Sequence, residues 1–105
     1  MIRHCVFIRF RPEISRVHRD ELFAEIDALK HTLAGIAAIY IGANVSPETG
    51  MDKDFADGFI VDFDNAEARD AYIMDPGHRK TGARLVAAAA GGVEGILVYD
   101  LDTGP

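Results

Sequence analysis

Residues 2–10 read Ile-Arg-His-Cys-Val-Phe-Ile-Arg-Phe, and this stretch decides the fold. β-Branched and aromatic types dominate it, which predicts a strand. Alternation puts Ile2, His4, Val6, Ile8 and Phe10 on one face and Arg3, Cys5, Phe7 and Arg9 on the other. Both faces are apolar at the centre, so the strand should be buried on both sides. Pro12 closes it.

Working outward, Ser15 is a good N-cap, and Asp20 and Glu21 near the following helix start suit its dipole. Leu22, Phe23, Ile26, Leu29 and Leu33 recur at helical spacing, and Gly35 fits a C-terminal stop. The pattern predicts a helix over about 16–34. Residues 36–45 read as a second strand, 46–54 as a polar loop, and 57–63 as a third strand. Asp64 or Asn65 caps a second helix, with Glu67 at capping-box spacing from Asp64. That helix should stop near Met74, before Asp75-Pro76-Gly77. His78 opens a further helical stretch to about Ala90, and Gly91-Gly92 ends it. Residues 93–101 form the last strand.

The order is βαββαβ. It predicts an α+β, ferredoxin-like fold: a four-stranded, mainly antiparallel sheet with helices on one face, spanning residues 1–105 as one domain. The uncovered face would carry Cys5, Phe7, Leu97 and Tyr99. An apolar sheet face of that kind needs a cover, and a second copy packed sheet against sheet supplies it, so a homodimer is expected.

The chain has 105 residues, 49% hydrophobic and 27% charged, with a net charge of −6. A globular domain fits that composition. The acidic balance argues against nucleic acid and anionic membrane as partners. Arg3, Arg9 and Arg11 are too few and too interrupted to reverse it. No stretch approaches the ~20 apolar residues of a membrane span. The start of the chain does not read as a signal peptide, so the expected location is the cytoplasm. Cys5, the one cysteine, reads as a small buried hydrophobe.

Chemistry points to three rings. Tyr72 and His78 lie six residues apart across Asp75-Pro76-Gly77, and His4 sits on the first strand. Phenol and imidazole hydrogen-bond and move protons near neutral pH. Converged in one pocket, they would bind, and deprotonate, a small carbonyl or phenolic molecule. Each ring taken alone also fits a plain core role. His18 and His31 are 13 residues apart, not at the i, i+4 spacing of paired ligands, and are expected at the surface. The acids Glu48, Asp52, Asp54 and Asp57 lack the order of a calcium loop and read as a solvated loop. No phosphate loop, serine elbow or cofactor motif is present, so no metal and no cofactor is expected.

The chain resembles the stress-responsive α/β-barrel (Dabb) family. The resemblance is carried by His4-Cys5-Val6-Phe7-Ile8-Arg9-Phe10, Gly42-Ala43-Asn44-Val45-Ser46, Phe63, Tyr72-Ile73-Met74-Asp75-Pro76-Gly77-His78 and Val98-Tyr99-Asp100. It implies ferredoxin-like protomers paired through their sheets into a dimeric α/β barrel. Most such proteins have no assigned reaction. A plant polyketide cyclase of the family uses a His base and a Tyr that holds substrate, with a first-strand His nearby. By resemblance these map to His78, Tyr72 and His4. Val6, Ile8, Leu22, Phe23, Ile26, Phe59, Val61, Ile96 and Val98 would line a pocket for a small apolar or aromatic ligand. Ile26 and Thr81 stand where that cyclase has aromatic walls, and Ala87–Ala90 lacks its bulky aromatic. Those departures imply a different ligand or none.

Overall fold

The computed structural model describes all 105 residues. Its elements are β1 (Ile2–Ile8), α1 (Arg16–Ala28), β2 (Ile36–Ala43), β3 (Asp57–Phe63), α2 (Ala66–Met74), α3 (Pro76–Ala88) and β4 (Ile96–Asp102). The sheet order is β2-β3-β1-β4, and every neighbouring pair is antiparallel. This is the ferredoxin-like arrangement expected from the element order. No helix is long and apolar enough to cross a membrane.

The caps explain the helix boundaries. Ser15 Oγ accepts the His18 amide hydrogen at 3.1 Å and Asn65 Oδ1 accepts that of Ala68 at 2.9 Å, so Asn65 rather than Asp64 starts α2. Asp75 Oδ2 accepts the His78 amide hydrogen at 3.0 Å. That cap draws Pro76 and Gly77 into α3, two residues earlier than expected. Proline fits the first helical position because its missing N–H has no partner to lose there.

α1 ends earlier than the apolar spacing suggests. It tightens at Leu29–His31 into a 3-10 turn, and Thr32 gives both its amide and its hydroxyl to the Leu29 carbonyl. Gly35 then turns at a φ of +83°, where a Cβ would collide with Ala68. β2 stops at Ala43 because its partner β3 begins at Asp57. β4 starts at Ile96 rather than near 93, because Gly92–Gly95 forms a 3-10 turn.

The sheet has two unlike faces. His4, Val6 and Ile8 of β1, with Phe59, Val61 and Phe63 of β3, point under the helices. They pack against Leu22, Phe23 and Ile26 of α1, Tyr72 of α2 and Leu85 of α3. The opposite face carries Arg3, Cys5 and Phe7, opposite Leu101, Tyr99 and Leu97 of β4. Arg3 and Asp62 sit directly across from each other on it and form a two-bond ion pair at 2.8 and 2.9 Å. Tyr40, Leu97, Tyr99 and Leu101 remain 56, 43, 58 and 44% exposed. Cys5 is a buried free cysteine, and burial pushes its thiol up, away from the reactive thiolate.

One expectation is corrected here. Asp57 is not a solvated loop acid. Its carboxylate is buried, with Oδ1 2.9 Å from Arg16 and Oδ2 3.2 Å from Arg19. It clamps the start of β3 to the first turns of α1. Asp52 is also engaged, accepting from the Asn44 side-chain amide at 2.9 Å and from the Asp54 N–H at 3.0 Å. No three His, Cys, Asp or Glu side chains converge anywhere in the chain as a metal ligand set would.

Candidate functional site

The structure brings His4, Tyr72 and His78 together. β1 presents His4 beneath the helices, α2 presents Tyr72 two residues before its end, and the Asp75 cap fixes His78 in the first turn of α3. Ring centres are 4.2 Å apart for Tyr72 and His78, and 5.7 Å for Tyr72 and His4. Phe63 closes the cluster, edge-on to Tyr72 at 5.0 Å and to His4 at 6.0 Å. Tyr72 is fully buried, and His78 is half-buried.

The rings do not hydrogen-bond to one another. His4 Nδ1–H donates to Asp100 Oδ1 at 2.6 Å, and Arg69 donates to Asp100 Oδ2 at 2.8 Å. Tyr72 Oη and His78 Nδ1 are buried and have no partner. Asp57 Oδ1, the other buried side-chain atom without a hydrogen bond, has the Arg16 guanidinium beside it. The two uncompensated atoms of the molecule therefore belong to adjacent rings. Buried polar groups are nearly always satisfied, and leaving one bare costs about 1–3 kcal/mol.

Electrostatics sets the protonation of Tyr72 and His78. Burial pushes the Tyr72 hydroxyl far above its ordinary value, so it stays a proton-bearing donor. Burial pushes His78 below 6.5, against an opposing hydrogen-bond contribution from the Ile73 backbone to the same ring. The positive end of α3 acts in the same direction. His78 is thus a neutral imidazole at physiological pH, with a lone pair to accept a proton. Burial pushes Asp100 up, but the bonds from Arg69 and His4 outweigh it and hold the carboxylate below its usual range. An ionised Asp100 keeps the hydrogen on His4 Nδ1.

The His78 shift has a sign that can be tested. The folded value lies below the unfolded one, so between them the unfolded chain binds the extra proton. The His78 contribution to stability is full above about pH 6.5 and falls as the pH drops toward the folded value. Urea midpoints measured from pH 7.5 to 5 should decline more steeply for the wild type than for His78→Gln. Parallel curves would mean that His78 titrates as it does in the unfolded chain.

The remaining expected wall residues divide. Val6, Ile8, Leu22, Phe23, Ile26, Phe59 and Val61 are buried core. Ile96 packs against that core, half-buried, while Val98 on the edge strand is 55% exposed. A cavity of about 550 Å³ lies elsewhere, on the open face of the sheet between β2, β3 and the 44–56 loop. Asp100 and Arg69 were not foreseen as site residues. Only the pairing of His4 with Asp100 in the β1–β4 ladder brings them in.

The family model of the stress responsive A/B barrel domain matches residues 2–102. The chain belongs to that family. A dimeric ferredoxin-like protein of unknown function from Jannaschia sp. CCS1 is 31% identical to this A/B barrel domain. It covers 97% of this chain and 98% of its own, with a TM-score of 0.90. An Arabidopsis thaliana protein, 21% identical, matches 100% of the domain and 97% of its own chain at a TM-score of 0.87. The hydroxynitrile lyase from Passiflora edulis, 18% identical, matches 99% and 96% at 0.81. These last two share the fold. No curated protein matches the sequence.

Proposed function

We propose that this A/B barrel domain works as a homodimer joined through its open sheet face, each protomer binding one small carbonyl or phenolic molecule at Tyr72 and His78. The observation that carries the binding reading is the pair of orphaned atoms, Tyr72 Oη and His78 Nδ1, side by side in an otherwise satisfied interior. A ligand oxygen that accepts from Tyr72 and carries a proton toward His78 compensates both at once. Val6, Ile8, Phe59 and Val61 belong to the same buried core as Tyr72 and hold its ring in place. Four large apolar residues exposed on one sheet face support the dimer, as does the dimeric Jannaschia relative.

A second reading adds chemistry to the same site: a cofactor-independent cyclase or lyase. The neutral His78 favours it, because a general base must be unprotonated at working pH. His78 removes a proton α to a carbonyl, and Tyr72 donates to the oxyanion that forms. His4, held by Asp100, orients the pair. One structural relative being a hydroxynitrile lyase is in keeping with this reading.

Exchange of deuterium from solvent into acetylacetone, followed by proton NMR, separates the two readings. A base at His78 accelerates exchange over buffer, and His78→Ala removes a factor of about 10²–10⁴. Saturable binding without acceleration leaves the domain a binder. Neither binding nor exchange across a panel of β-dicarbonyls and phenols counts against the site itself.

A further inference from the structure

The open sheet face carries a hole as well as exposed side chains. Gly42 and Gly58 face each other across the β2–β3 pair, and Phe7 lies next to Gly58 on β1. Two adjacent positions without side chains leave a trough, the floor of the 550 Å³ cavity. Phe7, Tyr40, Ile60 and Leu97 form its apolar sides, and Asn44 and Asp52 its polar rim. Gly58 is required on steric grounds, since a Cβ there would come within 2.8 Å of Phe7 and of the Val6 carbonyl. Gly42 is not, because a Cβ there meets nothing within 4 Å.

The same face carries a knob. Tyr99 is the most exposed large apolar residue on it and does not line the trough. Tyr99 stands on β4, opposite Cys5, on one side of β1, while the glycine pair lies on the other side. A two-fold axis running between two facing sheets and crossing over β1 brings each knob onto the other chain's hole. In that arrangement the phenol ring would meet apolar walls, and the Asn44 and Asp52 rim offers polar groups of the kind a buried tyrosine hydroxyl needs.

We infer that Tyr99 of each protomer seats in the Gly42–Gly58 trough of its partner, so that one aromatic knob and one two-glycine hole per chain key the dimer. This rests on the homodimer reading above. A second copy is the occupant because knob and hole share one face, and because the 31% identical Jannaschia protein is a dimer.

Sedimentation equilibrium of the full chain tests it, with Gly42→Phe, Tyr99→Ala and the double variant. Gly42→Phe fills the trough on an edge strand that has room for a side chain, so the protomer fold survives, as circular dichroism will check. Each single change should weaken the dimer by about 10-fold or more. In the double variant the new ring no longer opposes Tyr99, so its loss should not exceed that of the worse single change. Effects that multiply, or single variants that dimerise like the wild type, overturn the keying while leaving the dimer in place. That holds whether the trough is then empty or takes a small molecule. A wild type that is monomeric at tens of micromolar overturns the dimer and the keying together.

Discussion

Tyr72→Phe will make the ligand-free protein more stable, by about 1–3 kcal/mol. For a domain of this size that raises Tm by roughly 4–8 °C per kcal/mol. The sign is the point. A tyrosine hydroxyl tied into a structural network loses a hydrogen bond when it is removed, and stability falls by about 1 kcal/mol. Here the hydroxyl is fully buried and has no partner, so its removal ends a desolvation cost. Phenylalanine keeps the ring packing against Phe63 and His78. The same variant should lose ligand binding, because the donor that fixes the ligand oxygen is gone. Greater stability with lost binding is the pattern of a site held at a cost to the fold. A destabilised Tyr72→Phe would return the three rings to a purely structural role.

Ile26→Ala will cost about 2–5 kcal/mol. Resemblance makes Ile26 a pocket wall, together with Leu22 and Phe23. In the structure Ile26 and Leu22 are completely buried, in a cluster with Val6, Ile8, Phe59 and Val61. A wall that faces open space loses little on truncation, whereas a packed core residue leaves a cavity its neighbours cannot fill. Urea unfolding should therefore separate Ile26→Ala from Val98→Ala on the exposed edge strand, which should cost under about 1 kcal/mol. A loss under about 1 kcal/mol for Ile26→Ala would mean that α1 borders a ligand space rather than filling the core. With α1 packed in the core, the proposed ligand would have to approach from the half-exposed His78 side, near the exposed Ile73 and Met74.

Much of this was legible in the sequence, for physical reasons that differ by residue. The β1 alternation and the α1 spacing are signals of burial, and they mark the strand and helix faces that pack together. The apolar open face followed from the same alternation applied to β1 and β4. Tyr72 and His78 were readable as neighbours because only a capped turn separates them. Element ends were less legible. Pro76 belongs to α3 because the Asp75 side chain caps it, and α1 stops short because Thr32 bonds back to Leu29. Such choices depend on single hydrogen bonds rather than on periodicity. The Arg69–Asp100–His4 chain was out of reach, since it depends on strand register across 96 residues of sequence. Asp57 was misread for the same reason. Its charge suggested solvent, and only the placement of α1 brings Arg16 and Arg19 to it.

The most direct test is an NMR titration of protein labelled at the tyrosine rings and histidine nitrogens, with acetylacetone and p-cresol as probes. Tyr40 and Tyr99 on the open face, and the exposed His18 and His31, serve as internal controls. Saturable shifts of Tyr72 and of His78 Nδ1, with the controls unmoved, are the expected result for at least one probe. Shifts confined to Tyr40 and Tyr99, with Tyr72 and His78 silent, would contradict a ligand site at the orphaned pair.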